Sequence, residues 1–288
     1  MTGPQKLCEG YSLIAVPLWF PDRGLLFSDV LFGGVFCVDN DGNVSSVFEH
    51  RRGIGGMSLH AADGVIVSGR NISFKPFDGG PTITILERDE AKGIVGFNDI
   101  TTDSAGRIYA GSLGASPVFD DGRKPQSGDL YLIDLDGNSR KVGEDVQLTN
   151  GLGFSPDYKT LYHSDSRRQV VNCYAVEEDG SLGAKEVFAR VEKGVPDGLV
   201  VSEDGRVWVA LAGGGHGVGV FSPSGEMIDH IEIPQPMCTS VCFGGDNLSD
   251  LYIVSGSDGM DSEHAGAVYR HPVDTRGLSV ATAKISLE

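Results

Sequence analysis

The chain has 288 residues, 41 of them glycine, and its 40 Asp and Glu against 23 Lys and Arg give a formal net charge of -17. A balance of that sign repels nucleic acid and anionic membrane surfaces, so neither is expected as a partner, and it favours retention of cations. No apolar run approaches the length of a transmembrane helix, and the opening MTGPQKLCEGYSLIAVPLW lacks the basic segment and long apolar core of a secretion signal. Five scattered cysteines, Cys8, Cys37, Cys173, Cys238 and Cys242, are odd in number and read as reduced thiols rather than a disulfide framework. A cytoplasmic protein is expected.

Helix signals are nearly absent, and short strands follow one another from the start. The first unit reads VPLWF, LLFSD, GVFCVD and VSSVFEH, separated by the turns PDRG, LFGG and NDGN. Four strands in about 40 residues is the size of one propeller blade. The third unit repeats the count as NDITTD, GRIYAGS, GDLYLIDLDG and SRKVGED, with the insertion SPVFDDGRKPQS before its third strand. Six segments share one design, an apolar stretch, an Asp/Gly turn and a second apolar strand. They open at Ala15, Gly56, Asn98, Asn150, Asp197 and Thr239, at intervals of 41 to 52 residues.

These repeats predict one domain over residues 1–288. It is an all-β, six-bladed β-propeller with four antiparallel strands per blade. A seven-bladed wheel of the WD type fits less well, since WD and Kelch signatures are missing. A sandwich has no reason to repeat NG, ND and DG at one phase. The segment EGYSLI and the C-terminal run LSVATAKISLE are expected to share the last blade and close the ring, which removes exposed strand edges. Equivalent repeat positions around an axis form a ring, so Asn98, Asn150 and Asp197 are expected to point at one another.

The segments FNDITTDSAGRIYAGS, TNGLGFSPDYKTLYHSDS, PDGLVVSEDGRVWVA and PMCTSVCFGGDNLSDLYIVS resemble the senescence-marker-protein, gluconolactonase and luciferin-regenerating group. Paraoxonase and diisopropyl fluorophosphatase are more distant relatives of that group. The resemblance covers nearly the whole chain. It implies a six-bladed propeller holding a divalent cation, commonly Ca2+ or Zn2+, on the channel axis, and hydrolysis of cyclic esters. It also implies four ligands: a Glu in EGPxW, the Asn of ND, the Asn of NGL and the Asp of PDG. Three fall on Asn98, Asn150 and Asp197, and the Glu position falls on Ala15, in AVPLWF. One carboxylate fewer at a hard-cation site lowers the expected affinity.

The resemblance casts Asp197 as the carboxylate that activates water, alone or shared with metal binding. Each ring position has a plainer role beside it, since NG, ND and PDG all form turns. Sugar-lactone members carry an Arg two residues before the ND Asn, where this chain has Gly96. With Trp19, Met57 and Phe97 in the neighbourhood, an apolar lactone or ester is expected over a small polar one. His60, His216 and His264 are further candidates for substrate contact, beside the ordinary reading of surface histidines. The string GGGHGVG lacks the Lys-Ser/Thr of a phosphate loop, no GxSxG elbow is present, and DNDGN lacks the closing glutamate of a calcium loop. Two other readings stay open: a metal-free propeller enzyme similar to strictosidine-synthase-like proteins, and a non-catalytic ligand-binding propeller.

Overall fold

In the computed structural model, residues 3–21, 23–120 and 122–288 are described. Strand β1 (Gln5–Tyr11) is followed by β2 (Ile14–Phe20), β3 (Gly24–Asp29), β4 (Val35–Val38) and β5 (Val44–Phe48), the last four forming blade 1. Blade 2 is β6 (Met57–His60), β7 (Gly64–Val67), β8 (Ile72–Pro76) and β9 (Ile83–Leu86). Blade 3 is β10 (Gly96–Thr102), β11 (Ile108–Leu113), β12 (Gly128–Ile133) and β13 (Ser139–Val146). Blade 4 is β14 (Thr149–Phe154), β15 (Thr160–Asp165), β16 (Val170–Ala175) and β17 (Glu186–Arg190). Blade 5 is β18 (Val195–Val201), β19 (Val207–Ala212), β20 (Gly217–Phe221) and β21 (Met227–Glu232). In blade 6, β22 (Cys238–Gly244), β23 (Asp250–Ser255) and β24 (Gly266–Pro272) are completed by β1, in the order β1-β24-β23-β22. The fold is the expected six-bladed propeller.

Aspartates make the turns. Asp39 accepts from the backbone of Asp41 and Asn43 at 2.9 Å, and Asp103 accepts from Ala105, Gly106 and Arg107 at 3.0 Å. Each carboxylate thus replaces ladder partners that the reversing chain loses. The apolar side chains do not meet in one centre. Six clusters form instead, one between each neighbouring pair of blades, such as Val16, Leu26, Met57 and Val65 between blades 1 and 2.

Polar side chains near the axis stitch one blade to the next. Ser28 donates to the Ile54 carbonyl at 3.0 Å, Asn98 to that of Thr149 at 2.7 Å, Ser166 to that of Pro196 at 2.6 Å and Thr239 to that of Ile14 at 2.6 Å. The blades approach closely there. A Cβ on Gly151 would lie 2.3 Å from the Leu199 nitrogen, and one on Gly198 would lie 2.0 Å from the Ser240 hydroxyl.

The last blade differs from the sequence expectation in one respect. β1 does close it, but the C-terminal run crosses the far end of the channel as a strap. Leu278 donates to the Val201 carbonyl, Ala283 to that of Leu59, Lys284 to that of Gly106 and Ser286 to that of Leu135. Val201 and Leu59 belong to the inner strands β18 and β6, and Gly106 and Leu135 to turns of blade 3, whereas β1 already occupies the free edge of β24. Among the described residues no helix is long and apolar enough to cross a membrane.

Replacing Gly151 by Ala drives a methyl group into the backbone of blade 5, which costs about 1–3 kcal/mol. A calorimetric melt is expected to fall by several degrees relative to Gly3→Ala, where a Cβ meets nothing within 4 Å. Equal melting temperatures for the two variants would remove the claim that blade contact is tight at this glycine.

Candidate functional site

Five of the six inner strands carry a register shift where the repeat begins. Phe97 pairs with Ser112 and Ile100 with Ala110, so Asn98 and Asp99 together face a single residue of β11. The same two-against-one count holds for Asn150 and Gly151 in β14, for Asp197 and Gly198 in β18, and for Val16 and Pro17 in β2. In β22 the shift lies at Thr239, whereas β6 pairs with β7 without one. Such a bulge breaks the alternation of faces and re-aims side chains, here into the channel.

The result is a cavity of about 530 Å³ whose lining includes Ala15, Gly55, Asn98, Asn150, Asp197 and Thr239. In blade 2 the lining residue is Gly55 rather than the expected Gly56. Asn98 and Asn150 meet directly: the Asn98 amide nitrogen donates to Asn150 Oδ1 at 2.5 Å. Asn150 in turn donates to the Ser166 hydroxyl at 2.7 Å, which donates to the carbonyl of Pro196, the residue before Asp197. A chain of hydrogen bonds therefore runs from the first ring amide to the strand that carries the ring carboxylate.

Two carboxylates occupy the neck. Burial raises the Asp99 pKa to about 7, against 3.8 for an ordinary aspartate. Burial, together with the neighbouring Asp99, holds Asp197 well above the same value. Neither makes an ion pair among the described residues. Asp29 and Asp165 are not available as substitutes. Asp29 accepts from Ser12, Leu31 and Phe32, and Asp165 from Gln147, Leu148 and Arg168.

Among the described residues no group of three or more His, Cys, Asp or Glu side chains could hold a metal ion. The ring offers two amides and a carboxylate instead. That oxygen set, with carboxylates enclosed and lacking a cationic partner, suits a hard divalent cation. Ala15 lines the same cavity and brings a methyl group, with no side-chain oxygen, to it. The next residue, Val16, sits at φ +50. In the EGPxW pattern this is the glycine position, so a β-branched side chain here carries a strain of about 1–2 kcal/mol.

Of the other expected contacts, Phe97 lines the cavity and is 1% exposed. Trp19 and Met57 line a second cavity, of about 900 Å³, at the opposite end of the channel, where Trp19 stacks on Tyr252 at 5.4 Å. His60 lines neither: its Nδ1 accepts from the Ala62 backbone, which leaves Nε2 to donate to the Ile285 carbonyl of the strap at 3.0 Å. His216 and His264 lie in loops at the ring end but do not line the cavity, and His264 stacks on Phe32 at 5.2 Å.

Sequence reading passed over Arg52, Arg70 and Arg88, all of which line the cavity. Strand parity carries the missing signal. Inner strands start at the ring end, so the β5–β6 loop, the β7–β8 turn and the β9–β10 loop all return there. His163, in LYHSDS, packs within β15 as its place in an apolar strand suggests. It is buried and shares a 2.6 Å hydrogen bond with Thr149, whose carbonyl holds Asn98.

A six-sheet ring with amide and carboxylate oxygens gathered at its neck defines a β-propeller with a polar axial site. The chain belongs to the SMP-30/Gluconolactonase/LRE-like family, whose description matches residues 16–257. It is 31% identical over 275 residues to the 6-deoxy-6-sulfogluconolactonase of Pseudomonas putida, covering 91% of this chain and 92% of that protein. It is also 31% identical over 251 residues to regucalcin of Gallus gallus, covering 84% and 81%. The crystal structure of a calcium-binding protein, regucalcin, from Agrobacterium tumefaciens str. C58 superposes with a TM-score of 0.85 at 20% identity, covering 99% and 98%.

Burial lowers the His163 pKa to about 4, from 6.5 for an ordinary histidine. Between pH 6.5 and 4 the unfolded chain takes up a proton that the folded chain refuses, so this group subtracts stability as pH falls through that window and none above it. His163→Gln is expected to show a smaller drop in melting temperature from pH 7 to pH 5 than the parent. Parallel pH curves would mean that the imidazole titrates normally in the folded chain.

Proposed function

We propose that the protein is a lactone-opening hydrolase whose ring binds a divalent cation. The observation that carries this reading is the meeting of Asn98, Asn150 and Asp197 in one cavity, with the amides in direct contact. Membership of a family that includes a protein named sulfogluconolactonase supports it. Asn98, Asn150 and Asp197 would hold the cation, with Ala15 supplying no donor. The all-oxygen set favours calcium over zinc, in keeping with a structural neighbour described as calcium-binding. When bound, a divalent cation supplies Lewis acidity toward a carbonyl oxygen.

The chain's own groups do the rest. The Asp197 carboxylate faces the cavity and takes the proton of the attacking water at an Oδ atom, later returning it to the ring oxygen that leaves the opened lactone. Asp99 stands near it and adds to the effect of burial in raising the Asp197 pKa, which a cation held at the ring would offset so that the carboxylate is ionised for this role. Ser166 and Thr149 fix the two asparagine amides, so that their orientation costs nothing when substrate enters. Phe97, Leu113, Phe119 and Met237 give the cavity an apolar wall that excludes water and suits an apolar face of the lactone.

One observation favours a second reading. With Ala15 in the ring, metal-free chemistry in the same cavity remains open, and turnover that survives chelation would select it. Two measurements test the primary reading. Asp197→Asn is expected to reduce lactone opening, followed by proton release in a pH-stat, by about a hundredfold or more while the melting temperature holds. Ala15→Glu is expected to tighten calcium binding by calorimetry about tenfold or more and to raise turnover in parallel. If the added carboxylate improves neither quantity, residue 15 is not a ligand position.

A further inference from the structure

In a chain with a net charge of -17, three arginines gather at one cavity. They come from three separate loops of blades 1 and 2, and each is positioned differently. Arg70 follows Gly69, whose backbone exchanges hydrogen bonds with Phe97 at 2.7 and 3.1 Å, one residue before the ring asparagine. Its turn is fixed from the other side by Arg51, whose Nη2 donates to Ser68 and Asn71 at 2.9 to 3.2 Å. Arg52 donates to the Leu31 carbonyl and lies 5.4 Å over the Phe119 ring. Arg88 pairs with Glu90 at 2.8 Å.

The acidic groups nearby do not neutralise this set. Glu90 is shared between Arg88 and Arg123, and it also feels Arg70. Arg70 itself makes no hydrogen bond or salt bridge among the described residues. Among the described residues Asp258 is the one further carboxylate lining the cavity, while Asp99 and Asp197 lie at the neck. The cavity is thus polarised, with acids where a cation and a carbonyl belong and surplus guanidinium groups along one wall. Guanidinium forks match planar and tetrahedral oxyanions with paired, charge-assisted hydrogen bonds.

We propose that Arg52, Arg70 and Arg88 form a subsite for an oxyanion on the substrate, so that the lactone carries a carboxylate, sulfonate or phosphate group remote from the ring ester. The subsite rests on the lactone reading for what the rest of the ligand is, but its charge preference is independent of turnover. It replaces the arginine missing at Gly96 with arginines from the neighbouring loops. It also makes the ligand two-faced: an apolar side on Phe97 and Phe119, and an anionic end on the arginines. Arg70 is the specificity-determining member, since its turn is pinned on both sides and its head group is uncommitted.

The test uses the full chain with calcium present and a non-hydrolysable lactam probe in matched forms: a neutral primary amide and its carboxylate, sulfonate and phosphate counterparts. Calorimetry is expected to give about tenfold tighter binding for at least one charged probe than for the neutral one. Arg70→Gln is expected to remove most of that ratio, and the triple variant Arg52→Gln, Arg70→Gln, Arg88→Gln to remove all of it. The preference is also expected to shrink as salt rises. The order among the three charged probes assigns the oxyanion. Equal affinity for neutral and charged probes, or a ratio that survives in the triple variant, overturns the subsite. A ratio that depends on the arginines in a protein that opens no lactone supports the subsite and counts against the hydrolase reading instead.

Discussion

The site depends on a geometric accident made regular: in five inner strands one extra residue interrupts the pairing. A strand with unbroken pairing sends alternate side chains into its two flanking clusters, and nothing toward the axis. The extra residue breaks that alternation just where the sheets are narrowest and closest together. Asn98, Asn150 and Asp197 acquire a common focus for this reason, and the glycines that follow the last two let the next blade come near enough to share it. Blade 2 lacks the shift and has Gly55, without a side chain, at the ring position. The ring is therefore lopsided, with its oxygen donors in blades 3, 4 and 5.

That lopsidedness has an electrostatic counterpart. The donor-bearing blades place two carboxylates at the neck, and the blades without donors supply the arginines. Enclosed acids raise the free energy of the empty protein, since each prefers to be protonated there. Positive charge brought to the neck relieves this, whether by a cation or by the protons the acids retain. The strain at Val16 belongs to the same region, so local structure is held there by its surroundings rather than by its own preference.

Much of this was legible in the residues themselves, for identifiable physical reasons. Strand alternation and Asp/Gly turns have a short range, so the four strands of blades 1 and 3 fall where their apolar runs lie. That Asn98, Asn150 and Asp197 share one cavity was legible because a repeated phase becomes a ring once the sheet closes. The histidines were not. His60 sits at the far end of its strand, and its ring is satisfied by the strap, whose path depends on carbonyls contributed by three distant blades. Arg52, Arg70 and Arg88 share no spacing, because loops converge by strand direction rather than by interval. The missing arginine at Gly96 pointed to an apolar lactone or ester only while these loops were treated as independent.

Closure by β1 has a consequence for how the molecule is made. The strand that completes blade 6 is the first of the ring to be synthesised, and it must wait for β24, more than two hundred residues later, before it can dock. Throughout that interval the nascent ring stays open, with the edges that the finished ring pairs left free. The waiting strand reads QKLCEGY, charged at two positions and bulged at two, and most of its residues remain solvent-facing even after docking. A polar, irregular clasp of this kind is poorly suited to recruiting a foreign strand, which protects the half-built wheel until its own partner arrives.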